Sequence, residues 1–271
     1  MTMTSTENTS KIEQKLDLKN INPKDLLDAG IHFGHEKTKW NPKMKSYIHS
    51  TRKGVHVINI FKTLEVLNDV TKFVKNLTAN GGKILMLGTK KQSQQTIKNA
   101  AIHSNSSYVV SRWLGGTMTN YQTILKRVKH LAELEEEEKN TDSSSLTKKE
   151  LTLITKKINK LNKFFEGLKN YKKLPDCLFV VDVKKEKIAI NEANILKIPV
   201  IGLVDSDSDP TGIDFVIPGN DDSIKSIKLI SDVISNSIIE GKGLFAQKSK
   251  RPPQSQKPPA KPSIASVDRK K

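Results

Sequence analysis

Short apolar runs alternate with amphipathic stretches along most of this 271-residue chain. Residues 55–60, 83–88, 108–110, 177–181, 199–204 and 215–217 are the strand candidates. The run Ile84-Leu85-Met86-Leu87 has no polar position, as expected of a strand covered on both faces of a parallel sheet. Between the runs the period changes from two to about 3.6. Leu64, Leu67, Val70, Val74 and Leu77 share one helical face, closed by Gly81-Gly82. A second helix opens at Thr89-Lys90-Lys91-Gln92 and runs to about His103, and a short one covers residues 187–196. A last helix aligns Ile224, Ile227, Ile230, Ile234 and Ile238 and is expected to end at Gly241. Asn22-Pro23 reads as an N-cap with a first-turn proline, and Gly30 as that helix's stop. Strands joined by helices predict an α/β domain, a mostly parallel sheet with helices on both faces.

The middle of the chain departs from that alternation. Tyr121, Ile124, Val128 and Leu131 fall on one helical face. Leu151, Ile154, Ile158, Leu161, Phe165 and Leu168 recur with gaps of three and four, the seam of a coiled coil. Residues 140–145 read as a turn, and Thr147 with Glu150 as a capping box. An antiparallel helical hairpin over 121–171 is therefore expected, inserted into an α/β domain of residues 22–120 and 172–243. Its outer faces are Lys, Glu and Asn, so it should project, with Glu135 to Glu138 as an acidic tip. The polar extension 1–21 and the Pro- and Lys-rich tail 244–271 are expected to be disordered.

The pattern breaks most sharply at Arg112-Trp113-Leu114-Gly115-Gly116-Thr117-Met118-Thr119-Asn120. Paired glycines permit backbone geometry that a Cβ forbids. Thr119 and Gln122 have capping-box spacing, so the loop should end a strand and open a helix. Its backbone N–H groups would then face outward and attract phosphate. The plainer alternative is a tight turn with Trp113 buried as a core anchor.

Charge adds a partner. The net charge is +17, from 46 Lys+Arg against 29 Asp+Glu, which favours a polyanion such as nucleic acid. Lys37, Lys39, Trp40, Lys43, Lys45, Arg52 and Lys53 fall in a stretch too broken by Pro and Gly for a regular element. Lys90, Lys91 and Arg112 would share the sheet edge where the loops after parallel strands gather. These ten residues are the candidate RNA contacts: phosphate contacts supply affinity, and folded RNA is the natural target. No apolar run is long enough to cross a bilayer, so no membrane partner is expected. The single cysteine, Cys177, excludes an intramolecular disulfide and a multi-cysteine zinc site, and its apolar run suits a buried thiol.

Catalytic motifs fit poorly. Gly81-Gly82-Lys83-Ile84 lacks the spaced glycine and the hydroxyl of a Walker A loop, and no G-x-G-x-x-G follows a strand. Asp205-Ser206-Asp207-Ser208-Asp209 fails as a calcium loop, with Pro210 where the glycine belongs and Val216 where the bidentate Glu belongs. These carboxylates are expected to serve a turn. His32 and His35 show no third ligand nearby. No enzymatic activity, metal, cofactor or small-molecule substrate is expected. The alternative is a nucleotide-dependent enzyme on the same sheet, with Asp182 and Asp205 at strand ends.

The decapeptide Leu26-Leu27-Asp28-Ala29-Gly30-Ile31-His32-Phe33-Gly34-His35 resembles the opening signature of the small-subunit ribosomal protein S2 family, in its bacterial or organellar form. Trp40-Asn41-Pro42-Lys43-Met44, Gly88-Thr89-Lys90-Lys91-Gln92 and the 112–120 loop continue the resemblance. So do Leu174-Pro175-Asp176, Phe179-Val180-Val181-Asp182 and Ile217-Pro218-Gly219-Asn220-Asp221-Asp222. Asp207 and Ser208 depart from the family turn, which usually carries Asn and Cys. The resemblance implies a flavodoxin-like (Rossmann-like) sheet with an inserted coiled coil. It also implies a non-enzymatic role in translation, on ribosomes of the cytoplasm or an organelle matrix. Partners implied are 16S-type rRNA between head and body near the mRNA exit, neighbouring small-subunit proteins and, in bacteria, ribosomal protein S1.

Overall fold

The computed structural model describes residues 21–140 and 148–250. Helix α1 (Pro23–Asp28) begins at Asn22, whose N–H donates to the Asp25 carboxylate at 3.0 Å. Strands β1 (Phe33–Glu36), β2 (Ile48–Arg52) and β3 (Val55–Ile58) then form an antiparallel sheet of order β1-β3-β2. The expected irregular stretch is therefore partly regular. Its strands are half-exposed and carry polar residues, which an antiparallel sheet with one solvated face tolerates. Lys53 and Gly54, at φ 49° and 81°, make the two-residue turn between β2 and β3.

After α2 (Ile60–Ala79) come β4 (Ile84–Leu87), α3 (Lys91–His103) and β5 (Ser107–Val109). Helices α4 (Tyr121–Asn140) and α5 (Lys148–Phe165) follow, then β6 (Cys177–Val181), α6 (Lys187–Ile195), β7 (Val200–Val204), β8 (Phe215–Pro218) and α7 (Ile224–Lys250). β4 to β8 form one parallel sheet of order β5-β4-β6-β7-β8. β4, β6 and β7 are buried at every position, as their uninterrupted apolar runs require. Successive side chains point to opposite faces. Ile84 and Met86 join the apolar cluster built with α2, α3 and α7, whereas Leu85 and Leu87 join the one built with α4, α5 and α6. This is an α/β, flavodoxin-like arrangement, with helices on both faces.

Helices α4 and α5 pack antiparallel: Glu138 accepts from Thr155 Oγ1 at 2.7 Å, and Glu135 accepts from Asn162 Nδ2 at 3.0 Å. Ile124, Val128, Leu131 and Leu134 on α4, and Ile158 and Phe165 on α5, are buried in the same cluster as Leu85 and Leu87. The pair thus shares its core with the sheet. Glu135 is no bare tip either, since Lys169 Nζ lies 2.6 Å from it. The expected turn at 140–145 falls almost wholly, and Thr147 of the expected capping box wholly, outside the described residues. Helix α7 does not end at Gly241: Lys242 Nζ donates to the carbonyls of Ser104 and Asn105 at 2.7 and 2.8 Å, anchoring the added turns to the end of α3. No helix among the described residues is long and apolar enough to cross a membrane.

Candidate nucleic-acid interface

The glycine-paired loop after β5 closes around an anion of the protein's own. Glu192 on α6 accepts five hydrogen bonds from it. Oε1 takes Trp113 Nε1 at 3.0 Å and the Gly116 N–H at 2.8 Å. Oε2 takes the N–H groups of Met118 and Thr119 at 3.0 Å each and Thr119 Oγ1 at 3.1 Å. Burial alone would raise the Glu192 pKa, but these donors outweigh it and hold the carboxyl below its ordinary value. The expected outward-facing N–H groups are therefore turned inward, and the buried-turn alternative holds, with Trp113 only 6% exposed. The cap differs too: α4 is opened by Asn120, which accepts from the Thr123 N–H and hydroxyl, while Thr119 serves Glu192. Sequence reasoning missed Glu192, although an acid between Ala189 and Ala193 on the buried face of α6 was a usable signal.

The ten candidate cation and aromatic positions divide by environment. Lys37, Lys39, Lys45, Arg52, Lys53, Lys91 and Arg112 are exposed. Lys91 and Arg112 follow the neighbouring strands β4 and β5, so both stand at the carboxyl edge of the parallel sheet. The small sheet is fastened to that edge by the loop after β7. The His35 N–H donates to Ser206 Oγ at 2.7 Å, and the Asn41 N–H donates to the Ser206 carbonyl at 2.8 Å. Lys43 pairs with Asp209 at 2.9 Å, so its ammonium helps seat this segment. The aspartate-serine turn thus does serve as a turn, and it also joins the two sheets. Trp40 is half-buried, tilted against His56 at 5.3 Å between ring centroids.

Lys90 has a different setting from Lys91. Its ammonium, 19% exposed, lies 2.8 Å from Asp221, 2.6 Å from Asp222 and 3.9 Å from Asp182. Burial would lower its pKa, but Asp221 and Asp222 outweigh burial and raise it. Beside it, His35 places Nδ1 3.1 Å from Asp205 and Nε2 3.3 Å from Asp222. Four aspartates thus face one lysine and one histidine, and the surplus of negative charge holds protons on the cluster.

Residues 26–241 match the family model described as ribosomal protein S2. The chain belongs to the ribosomal protein S2 family. The match runs from α1 across both sheets and the α4–α5 pair into α7. It makes the protein a ribonucleoprotein component of the small ribosomal subunit with a role in translation.

In this S2 protein the edge cluster has a pH signature. Asp205 raises the His35 pKa, against the effect of burial, from 6.5 to about 9. A raised histidine contributes stability that is complete below the unfolded value of about 6.5 and is lost as pH climbs through 9. Asp221 acts in the same sense. Burial first, and Asp205 second, push it up to about 7, so its folded form keeps a proton that the unfolded chain releases above about 4. The melting temperature is expected to fall first through Asp221, as pH rises from about 4 to 7, and then through His35 between pH 6.5 and 9, with about 1–2 kcal/mol from His35 after allowance for screening of its partly exposed ring. A His35→Asn variant should show a shallower fall, and an equal slope in calorimetry would refute the assignment. His35, Asp205 and Asp222 also bring ligand atoms within 4.8 Å of one another, and imidazole with carboxylates is a donor set that suits zinc. A metal there would compete with the ring protons, because a doubly protonated imidazole has no lone pair to offer.

Proposed function

We propose that this S2 protein binds 16S-type rRNA along the carboxyl edge of its sheet and serves there as a structural element without catalysis. Lys37, Lys39, Lys45, Arg52, Lys53, Lys91 and Arg112 supply the phosphate contacts in this reading. Lys90 holds that surface in shape from behind, the exposed Lys43 fastens it through Asp209, and Trp40 stiffens it. The observation that supports the proposal is the exposure of these cations, with Lys91 and Arg112 after β4 and β5 and the segment of Lys37 and Lys39 tied to the loop after β7 by the Ser206 and Asp209 contacts. Phosphate contacts of this kind fix position and read no sequence directly. The place between head and body near the mRNA exit, on ribosomes of the cytoplasm or an organelle matrix, belongs to the same reading.

In a bacterial ribosome the protein would also help dock ribosomal protein S1. Support for a protein contact comes from an open groove along β1 and β3, lined by Leu27, Phe33 and Phe61, with Arg52 and Lys53 on its rim. Phe33 and Phe61 are 54% and 70% exposed there, an apolar patch that suits a protein neighbour.

Filter binding of the full chain to a 16S-type rRNA transcript over a salt series tests the main reading. Replacing Lys37, Lys91 and Arg112 together by glutamine should flatten the slope of log K against log salt by about 2, at roughly 0.7–0.9 per lost contact. Lys90→Gln should instead lower thermal stability and leave the slope of the folded fraction unchanged. A triple variant with the parental slope would refute this surface.

A further inference from the structure

The outer side of α5 has a charge pattern that the carboxyl-edge surface does not use. Lys149, Lys156, Lys160 and Lys163 are separated by seven, four and three residues, and all four are exposed. At 3.6 residues per turn those offsets place them in one row. The row lies opposite the seam residues Ile158 and Phe165, which are buried against α4. It contains no acidic residue. At 1.5 Å per residue it is about 21 Å long.

Helix α4 places acidic residues beside part of that row. The pairs Glu138–Thr155 and Glu135–Asn162 set the register, so the lysines from Lys156 onward run alongside residues 133–138 of α4. Glu135 and Glu138 turn toward α5 in those pairs, whereas Glu133, Glu136 and Glu137 are exposed on the outer side of α4. Over residues 133–137 the outer side of α4 is therefore acidic, whereas Lys126 and Lys129 keep it mixed nearer its start. A solubilising helix face usually mixes the two charges. A row of one sign, about 21 Å long, instead suits the closely spaced phosphates of a nucleic-acid backbone.

We infer that the outer face of α5 is a second phosphate-contacting surface, lying along an rRNA backbone with Glu133, Glu136 and Glu137 of α4 turned away. The inference rests on the rRNA-binding reading above and names a part of the molecule that reading leaves unused. Lysines are flexible point charges, so this surface should add affinity and orientation, with little sequence preference.

The test uses the full chain and the same 16S-type rRNA transcript. The row variant is K156Q/K160Q/K163Q, and the control is K187Q/K225Q/K228Q, which removes equal charge from α6 and α7. Circular dichroism should show both folded, because every replaced residue is exposed. The row variant is expected to lose about tenfold in affinity and about 2 in the salt slope, with the control nearly unchanged. Row and control variants with indistinguishable slopes, while the parent protein binds, would overturn the inference and leave the edge surface intact. Impaired entry of the row variant into small subunits with an unchanged rRNA slope would assign the row to an acidic protein and overturn it as well. Failure of the parent protein to bind rRNA would remove both readings.

Discussion

Glu192→Gln is expected to destabilise the protein by about 3 kcal/mol or more, a large share of the stability of an ordinary domain. The carboxylate accepts from Trp113, Gly116, Met118 and Thr119 across a gap of more than seventy residues in sequence. An amide offers one oxygen and directs an NH2 group at the remaining donors, so buried N–H groups lose their acceptor and meet a donor in its place. Each orphaned group costs about 1–3 kcal/mol. Urea unfolding followed by the combined emission of Trp40 and Trp113 would give the size, and a loss below about 1 kcal/mol would show that the loop does not depend on this acid. Acid titration gives an independent reading. The folded pKa of Glu192 is depressed, so its contribution is present above about 4.5 and disappears as pH falls through the lower folded value. The stability of the variant, measured by urea unfolding at each pH, should consequently change less with pH in that range.

Gly167→Ala is the second change with a large expected effect. Gly167 lies in the short 3-10 turn Glu166–Leu168 that ends α5 and packs against β5. A Cβ there would stand 2.1 Å from the Tyr108 carbonyl oxygen and 2.5 Å from the Tyr108 ring. The oxygen belongs to a strand paired with β4 on one side, so it cannot withdraw without breaking that pairing. The extra methyl should cost about 3 kcal/mol, at the upper end for overpacking. Hydrogen exchange would locate the damage: amides of β5 and the end of α5 should lose protection first, with the β6–β8 side less affected. A variant with parental exchange rates in β5 would mean that the turn can move aside.

Local pattern carried the central elements well because their physics is local. β4, β6 and β7 are buried along their whole length, and an unbroken apolar run follows from that directly. The face periodicity of α2 and α7 is equally plain. The small sheet left a fainter trace. Its strands are four or five residues long and half-exposed, and Lys53-Gly54 lacks the Asn or Asp that usually announces a two-residue turn. The positive charge of the candidate interface was legible, but the environment of each cation was not. Lys90 and Lys91 are neighbours in sequence, yet one sits among three aspartates from the loops after β6 and β8 and the other faces water. Nothing within a few residues of Lys90 encodes that difference. The same holds for the 112–120 loop, whose glycines suggested a foreign anion. The anion is Glu192, brought to the loop by the packing of α6.

The shared core of the α4–α5 pair and the sheet limits how far this protein can be trimmed. Leu131 and Phe165 are buried in one cluster with Leu85 and Leu87, so no water-filled joint separates lever from body at that end. A shortening that reaches Val128 removes the buried Leu131 and Leu134 and opens the apolar floor of the sheet to water. Pull applied along the helices is accordingly delivered straight into β4, as in a handle forged in one piece with its blade.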